Sequence, residues 1–193
     1  MLVWGIVALS LLIATPAWAL GPLIFNTGTD ASNAVLPDSS IDPHYVLFAG
    51  GPAITQSSLS ITPAADTLST WIRPNSNLGP GSYTYETTFT MAAPGPITIT
   101  GQWAAYAVGV DMRINNVSTG AAISDPAYAA WHPFSASGNA VAGSNTLDFV
   151  VAEDFGNANT GLRVEISSVT PEPASLGFLG LIGTSLLARR RRD

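Results

Sequence analysis

The chain has 193 residues, no cysteine and no lysine, and charged residues make up 10% of it. The lack of cysteine excludes disulfides, zinc–thiolate sites and thiol chemistry, and the length suits one domain or at most two small ones. From residue 20 to residue 170 three arginines stand against eleven acidic residues, a net charge of −8. Such a surface repels phosphate backbones, which argues against nucleic-acid binding.

Residues 1–19 predict an export signal. Leu2 to Ala14 form an uncharged apolar run, and Pro16 follows it. Ala17 and Ala19 supply the small-x-small pattern that signal peptidase accepts, which predicts cleavage after Ala19. The alternative is a buried helix or strand of the domain. It fits less well, because Pro16 and the small residues stand where a cleavage site belongs.

Residues 20–169 predict an all-β domain, because apolar and polar residues alternate with a period of two. Pro94-Gly95-Pro96 and Asn115-Asn116 separate such runs as turns, the second as a hairpin. Many short strands divided in this way predict an antiparallel β-sandwich, jelly-roll-like in layout. The predicted strands are Tyr83 to Met91, Ile97 to Trp103, Tyr106 to Ile114, Leu147 to Val151 and Leu162 to Ile166, with shorter ones at Leu23 to Phe25, Tyr45 to Phe48, Ile54 to Ile61 and Leu68 to Ile72.

Residues 170–193 form a tail of three parts. Pro171-Glu172-Pro173 precedes the uncharged apolar run Ala174 to Ala188, and Arg189-Arg190-Arg191-Arg192 follow. Fifteen helical residues rise only ~22 Å, against a hydrocarbon core of ~30 Å, so the predicted transmembrane helix is short. The arginine cluster keeps its end cytoplasmic and leaves the domain on the far side of the membrane.

This tail resembles the PEP-CTERM sorting signal of Gram-negative bacteria, in which Pro-Glu-Pro, an apolar helix and a basic end are recognised by an exosortase. The resemblance implies transient anchoring in the inner membrane, processing near Pro171-Glu172-Pro173, and delivery to the outer cell surface or an exopolysaccharide matrix. The alternative is an ordinary single-pass anchor, which the short helix and the Pro-Glu-Pro motif count against.

The central region resembles a recurrent ectodomain of PEP-CTERM proteins, similar in layout to galactose-binding-like jelly rolls and carbohydrate-binding modules. One departure is Ala105-Tyr106, where such domains often carry an acidic pair after the tryptophan. The similar segments are Asn26-Thr27-Gly28 with Asp30, Asp42-Pro43-His44-Tyr45, Trp71-Ile72-x-Pro74, Tyr83 to Phe89, Gly101-x-Trp103-Ala104, Asn145 to Phe149 and Thr160 to Val164.

The sequence contains few patterns that indicate catalysis, and we predict that the protein is not an enzyme. The chain has no Gly-x-Ser-x-Gly elbow, and its only imidazoles are His44 and His132, which we interpret as loop-holding residues. A glycosidase needs two carboxylates across the scissile bond. Glu86 and Asp148 fall on outward strand faces, where solvated charge is normal.

Oxygen-rich segments suggest a metal site. Glu153, Asp154 and Asn157 open a polar loop that could hold a structural calcium ion, although the spacing of a known calcium loop is missing. An ordinary polar loop remains the favoured interpretation. Asp30, Asp38 and Asp42 form a second, weaker cluster.

Sugar binding needs an aromatic face with planar polar groups beside it. Trp131 is the best candidate, with Tyr128 three residues before it, whereas Trp103 is in phase with the core. The alternative for Trp131 is a plug at one end of the sandwich.

The sequence as a whole predicts an exported, non-catalytic surface or matrix protein that binds exopolysaccharide. A purely structural or adhesive protein that binds protein neighbours is the alternative, and a hydrolase on a sandwich scaffold is the least favoured.

Overall fold

The computed structural model of the chain describes residues 23–48, 51–56, 66–76, 81–106, 108–123, 130–153 and 160–172. Several residues of the site predictions lie outside the described residues. They are Ala17 and Ala19 of the cleavage site, Pro173 and Arg189 to Arg192 of the sorting tail, and Tyr128, Asp154 and Asn157 of the ligand and metal predictions. Across the described ranges no helix is both long and apolar enough to cross a membrane.

Strands and turns make up the described structure, which confirms the all-β prediction. The ten strands in chain order are β1 (Ile41–Leu47), β2 (Gly51–Thr55), β3 (Ile72–Pro74), β4 (Gly81–Met91), β5 (Gly95–Ala105), β6 (Val108–Ile114), β7 (Val117–Ser118), β8 (His132–Ala140), β9 (Gly143–Glu153) and β10 (Leu162–Pro171).

All strand pairs are antiparallel, and hydrogen bonding links the strands in the order β7-β6-β9-β4-β1-β2-β3-β10-β5-β8. This continuous sheet folds over at the β1–β2 hairpin. Layer I is formed by β7, β6, β9, β4 and β1, and layer II by β2, β3, β10, β5 and β8.

The core lies between the two layers. Phe149 of layer I packs against Trp103 and Phe134 of layer II, with ring centroids 5.6 Å and 6.2 Å away. Gly109 on β6 makes room for Trp103, because a Cβ at that position would lie 2.6 Å from the indole. These contacts across the layers show a β-sandwich, as predicted.

The predicted inward faces of the long strands are confirmed. In β4 every second residue from Tyr83 to Met91 is buried, and β9 pairs with it along its whole length, from Gly81↔Glu153 to Met91↔Gly143. Asn115 and Asn116 have φ angles of 52° and 63° and turn β6 into β7, which confirms the predicted hairpin. Asparagine tolerates this left-handed geometry better than most residues do.

Several boundaries differ from the predicted ones. A bulge between Gly109 and Asp111 shifts the alternation of β6, so Val110 is exposed rather than inward-facing. Leu23 to Phe25 form no strand, and the strand predicted from Leu68 begins at Ile72. Strand β8 was not predicted, because its Ser, Ala and Gly residues carry little apolar signal.

Strand pairing also reaches into the predicted sorting motif. β10 continues through Pro171, which lies opposite Ile97, and the backbone N–H of Glu172 donates to the carbonyl of Pro96 at 3.0 Å. A proline is tolerated at this place because it lies at the end of the strand.

Candidate functional site

The site lies on the outer face of layer II, where β8, β5 and β10 run side by side. Trp103 lies opposite His132, so the next outward row places Trp131 beside Ala104, which in turn lies opposite Arg163. Since Ala104 carries only a methyl group, the indole of Trp131 reaches across it. The guanidinium carbon of Arg163 lies 4.7 Å from the centre of the indole.

Arg163 is fully buried although it projects from the outer face of a strand. Its Nε donates to the Ser69 hydroxyl at 2.8 Å, and its Nη2 lies 2.9 Å from Asp66 and 3.5 Å from Glu165. Nη2 also donates to the backbone carbonyl of Ser69 at 3.2 Å. Two carboxylates, a hydroxyl and a carbonyl therefore surround the guanidinium, and Trp131 covers it.

The second carboxylate of this group is itself held on both oxygens. Oε1 of Glu165 accepts from the Ser69 hydroxyl at 2.8 Å, and Oε2 accepts from the Gln102 amide at 2.7 Å. Buried charges cost free energy unless they are paired and hydrogen-bonded, and here both conditions are met. The side chains of this network are fixed before any ligand arrives. We call Trp131, Arg163, Asp66, Glu165, Gln102 and Ser69 the Trp131 platform.

Electrostatics reflect the burial. Loss of water lowers the pKa of Arg163, while Asp66 and Glu165 act in the opposite direction and keep the guanidinium charged. Burial would raise the pKa of Asp66, but the backbone amide of Leu68 and the nearby Arg163 outweigh it, so the pKa is lowered. Asp66 is 44% exposed and therefore presents an ionised carboxylate at the edge of the platform.

Two rows of hydroxyls continue along the same outer face. Thr100 lies opposite both Ser168 and Ser135, and Thr98 lies opposite Ser137 and Thr170. Thr100 and Ser168 share a hydrogen bond of 2.8 Å, as do Thr98 and Ser137. Rows on one strand repeat about every 7 Å, so these hydroxyls extend the Trp131 platform away from the indole. At the far end the Thr98 hydroxyl also donates to Glu172 at 3.4 Å.

Glu86 and Asp148 do project from an outer face, that of layer I, but the prediction that both are solvated is wrong for Asp148. They lie directly opposite each other on β4 and β9, and Asp148 is only 1% exposed. Its Oδ1 accepts no hydrogen bond. The nearby Thr146 hydroxyl nevertheless favours the ionised form of Asp148. Burial, followed by repulsion from Glu86, raises the pKa of Asp148 to about 6, against an opposing effect of Arg113.

The weaker aspartate cluster does not converge on a cation. Asp42 is buried and accepts from the backbone N–H groups of Gly28, His44 and Tyr45 at 2.7–3.1 Å, and burial raises its pKa. Asp30 accepts from the backbone amides of its own turn. Both carboxylates therefore fix local backbone, and within the described ranges no three His, Cys, Asp or Glu side chains come together as a metal site.

The two histidines stand apart. His44 stacks on Phe25 with ring centroids 3.6 Å apart, in the segment that Asp42 fixes. His132 begins β8 opposite Trp103. In both rings Nε2 is buried without a hydrogen-bond partner. Within the described ranges, therefore, no carboxylate accepts from Nε2 of either histidine.

Strand register also places Glu153, the described member of the calcium prediction. It ends β9 opposite Gly81, and the adjacent Ala152 lies opposite Val108 at the start of β6. Since only residues 106 and 107 separate β6 from β5, Glu153 ends its strand at the same end of the sandwich as Trp131. The calcium prediction itself stays a prediction.

Sequence reasoning selected Trp131 as a candidate, but it did not select the residues beneath it. Arg163 and Glu165 alternate with the buried Leu162 and Val164, which predicts solvated side chains. An Arg-x-Glu pair on one strand face, in a region with only three arginines, was the available signal. Ser69 and Asp66 come from a distant segment, and no local pattern links them to β10.

No protein-family model matches the chain, and no curated protein matches it either. Among solved structures, a family 35 carbohydrate-binding module from Clostridium thermocellum is 12% identical, with a TM-score of 0.40 over 78% of this chain and 98% of that one. A family 35 module from Paenibacillus barcinonensis is 11% identical, with a TM-score of 0.38 over 68% of this chain and 97% of that one. The GH26-CBM35 β-(1,4)-mannanase of Podospora anserina is 16% identical, with a TM-score of 0.34 over 80% of this chain and 29% of that one.

Proposed function

We propose that the chain is an exported, non-catalytic protein that binds polysaccharide through the Trp131 platform. The observation that carries the proposal is a partly exposed tryptophan that covers a buried, ion-paired arginine, with an ionised carboxylate and an amide beside it. A pyranose offers an apolar C–H face and a rim of hydroxyls, and both parts find counterparts here.

Preorganisation supports this function. Because one face of Trp131 covers Arg163, the solvent-exposed part of the ring lies elsewhere and is held in place. A rigid aromatic surface loses little conformational entropy when a sugar ring stacks on it. Asp66, at the edge of the platform, accepts hydrogen bonds from sugar hydroxyls.

The hydroxyl rows favour a polymer over a single sugar. Thr98, Thr100, Ser135, Ser137 and Ser168 lie on the same sheet face as Gln102, and a charged side chain, that of Glu172, accepts from Thr98 at their far end. A glycan that stacks on Trp131 continues along this face, where hydroxyls donate and accept in turn.

The test is a binding measurement with the full-length chain on immobilised glycans and on extracted exopolysaccharide. Trp131→Ala is expected to weaken binding at least tenfold, since aromatic contact is lost, while Trp131→Phe retains part of the affinity. Phe48→Ala is the matched control, because Phe48 is an aromatic residue that is 66% exposed beside layer I. Absence of binding to every glycan, or equal binding by Trp131→Ala and Phe48→Ala, contradicts the proposal.

The proposed function also includes export of the chain and sorting through its C-terminal tail. Removal of residues 1–19 and processing near Pro171-Glu172-Pro173 deliver the sandwich to the outer cell surface or matrix. The proposal predicts a mass for roughly residues 20–171 when the intact protein is recovered from the culture surface. A recovered form that still carries Arg189 to Arg192 contradicts the sorting step but leaves polysaccharide binding open.

Self-association is a second candidate, favoured by one observation. Val46 and Phe48, two residues apart at the end of β1, are 47% and 66% exposed. A sedimentation experiment distinguishes the two functions, because Phe48→Ala dissociates oligomers in the second case and leaves glycan binding unchanged in the first.

A further inference from the structure

We infer that the Trp131 platform selects neutral polysaccharides and rejects those that carry carboxylates or sulfates. This inference rests on the proposed function and names its ligand class. Its basis is that Arg163, the platform's only cationic side chain among the described residues, is already occupied by acidic partners from the chain itself.

Arginine normally attracts carboxylates, because its fork of N–H donors matches the two oxygens. In this platform Nε is taken by Ser69, and Nη2 is shared among Asp66, Glu165 and the Ser69 carbonyl. The face of the guanidinium is covered by Trp131. Since the Arg163 side chain also has no exposed surface, an acidic sugar can reach it only by displacing the groups that the fold already supplies.

Charge balance acts in the same direction. One guanidinium and two carboxylates leave the platform with a net charge of −1, and residues 20–170 together carry −8. A polyanion meets repulsion at the platform and over the whole domain. Asp66 strengthens the effect, because its carboxylate is both ionised and exposed.

A neutral sugar meets no such penalty. Its hydroxyls donate to the exposed oxygens of Asp66 and exchange hydrogen bonds with the neighbouring Ser and Thr side chains. Hydrogen bonds that involve a charged acceptor are stronger than neutral ones, so the same carboxylate that repels acidic sugars favours neutral ones.

The experiment compares binding of the full-length chain to a neutral β-glucan and to polygalacturonate of matched length, in low salt. We expect binding to the glucan at least tenfold tighter. Asp66→Asn removes one negative charge and releases part of Arg163. The affinity of this variant for polygalacturonate should therefore rise several-fold over that of the wild-type chain, and added salt should abolish the gain. Asp111→Asn is the matched control, because it also removes a carboxylate 2.8 Å from an arginine, on the opposite layer.

The wild-type comparison is decisive even if Asp66→Asn proves unstable. Equal or tighter binding of polygalacturonate by the wild-type chain overturns the inference while leaving polysaccharide binding intact. An equal gain in Asp66→Asn and Asp111→Asn overturns it too, because the effect would then reflect net charge alone. Failure to bind any glycan removes the proposed function and this inference with it.

Discussion

Two arginine–aspartate pairs on the outer faces of the sandwich differ sharply. On layer I, Arg113 and Asp111 are joined at 2.8 Å, and the arginine side chain is 39% exposed. On layer II, Arg163 and Asp66 are joined at nearly the same distance, 2.9 Å, but the arginine is fully buried. Both arginines alternate with apolar residues along their strands, so strand periodicity does not distinguish them.

The difference comes from segments outside the strands. The Asp66–Ser69 segment and Trp131 lie over β10 and exclude water from Arg163. Arg113 is paired with Asp111 on its own strand and lies opposite Asp148 on β9, and it keeps 39% of its side chain exposed. An outward-facing charge is therefore solvated only where no other segment covers the sheet. We place the proposed binding site on this covered face because the covering segments fix its side chains.

The largest expected effect comes from removing the buried cation. Arg163→Met leaves Glu165 buried without its cationic partner, and losing one member of a buried pair costs about 3–5 kcal/mol in the free energy of unfolding. The matched change Arg113→Met should cost less, because Arg113 is 39% exposed and exposed ion pairs contribute little, even though it also removes the charge that lowers the pKa of Asp148. Urea denaturation of both variants makes the comparison. Similar losses in the two would show that burial does not separate the two pairs.

Asp148 is an exception to the difference between the two layers, because it is a buried carboxylate on layer I. Its pKa in the folded state, about 6, exceeds the ordinary value of 3.8, so the folded protein binds this proton more tightly than the unfolded chain does. Asp148 therefore lowers stability progressively as pH rises from about 4 to 6 and keeps that cost above pH 7. The shift corresponds to at most about 3 kcal/mol, and partial hydration of Glu86 reduces it.

Asp148→Asn should accordingly raise the free energy of unfolding at pH 7 by about 1–2 kcal/mol and leave it nearly unchanged at pH 4. Denaturation at both pH values measures the difference between variant and wild type. Glu86→Gln serves as the companion variant, because removing the repelling charge should move the titration of Asp148 to lower pH. A variant that is less stable than wild type at pH 7 contradicts the prediction.

Removing Trp131, which covers Arg163, is expected to lower the free energy of unfolding by less than removing Arg163 itself. Trp131→Ala exposes Arg163 to water and removes the cation–π contact, at a cost of about 1–2 kcal/mol in the free energy of unfolding. Trp131→Phe keeps an aromatic ring over the guanidinium and should lose less than half of that. If neither variant changes stability, the indole does not contribute to the burial of Arg163.

The sequence predicted the sandwich because its long strands alternate cleanly. Tyr83 to Met91 and Leu147 to Val151 face inward as their period requires. Strand β8 escaped prediction because Ser135, Ala136 and Ser137 have little apolar contrast, although their pairing with β5 completes layer II. Periodicity detects a strand by what it buries, and an edge strand of small residues buries little.

Prediction of the site was limited by sequence distance. Trp131 was chosen from residue type and its loop position, but the group beneath it joins residues that lie far apart in the sequence; Ser69 and Glu165, for example, are 96 positions apart. Such a hydrogen bond depends on which segment crosses the sheet, and neither composition nor alternation encodes that. The same limit explains Asp148, whose outward direction was predicted but whose burial was not.

The smallest expected effect concerns the Arg113–Asp111 pair, in which the arginine side chain is 39% exposed and the aspartate side chain 15% exposed. Asp111→Asn removes the ion pair with Arg113 but keeps an oxygen that can accept from the Ser118 hydroxyl, which lies 2.7 Å from the carboxylate. We expect a loss of less than about 1 kcal/mol at low salt, and less still at 1 M salt, since exposed charges are screened. Thermal unfolding at both salt concentrations measures it, with Asp66→Asn in parallel. The buried position of Arg163 shields its pair from salt, so the loss in Asp66→Asn should be larger and should change less with salt. Equal salt dependence in the two variants would mean that water reaches Arg163 as freely as Arg113.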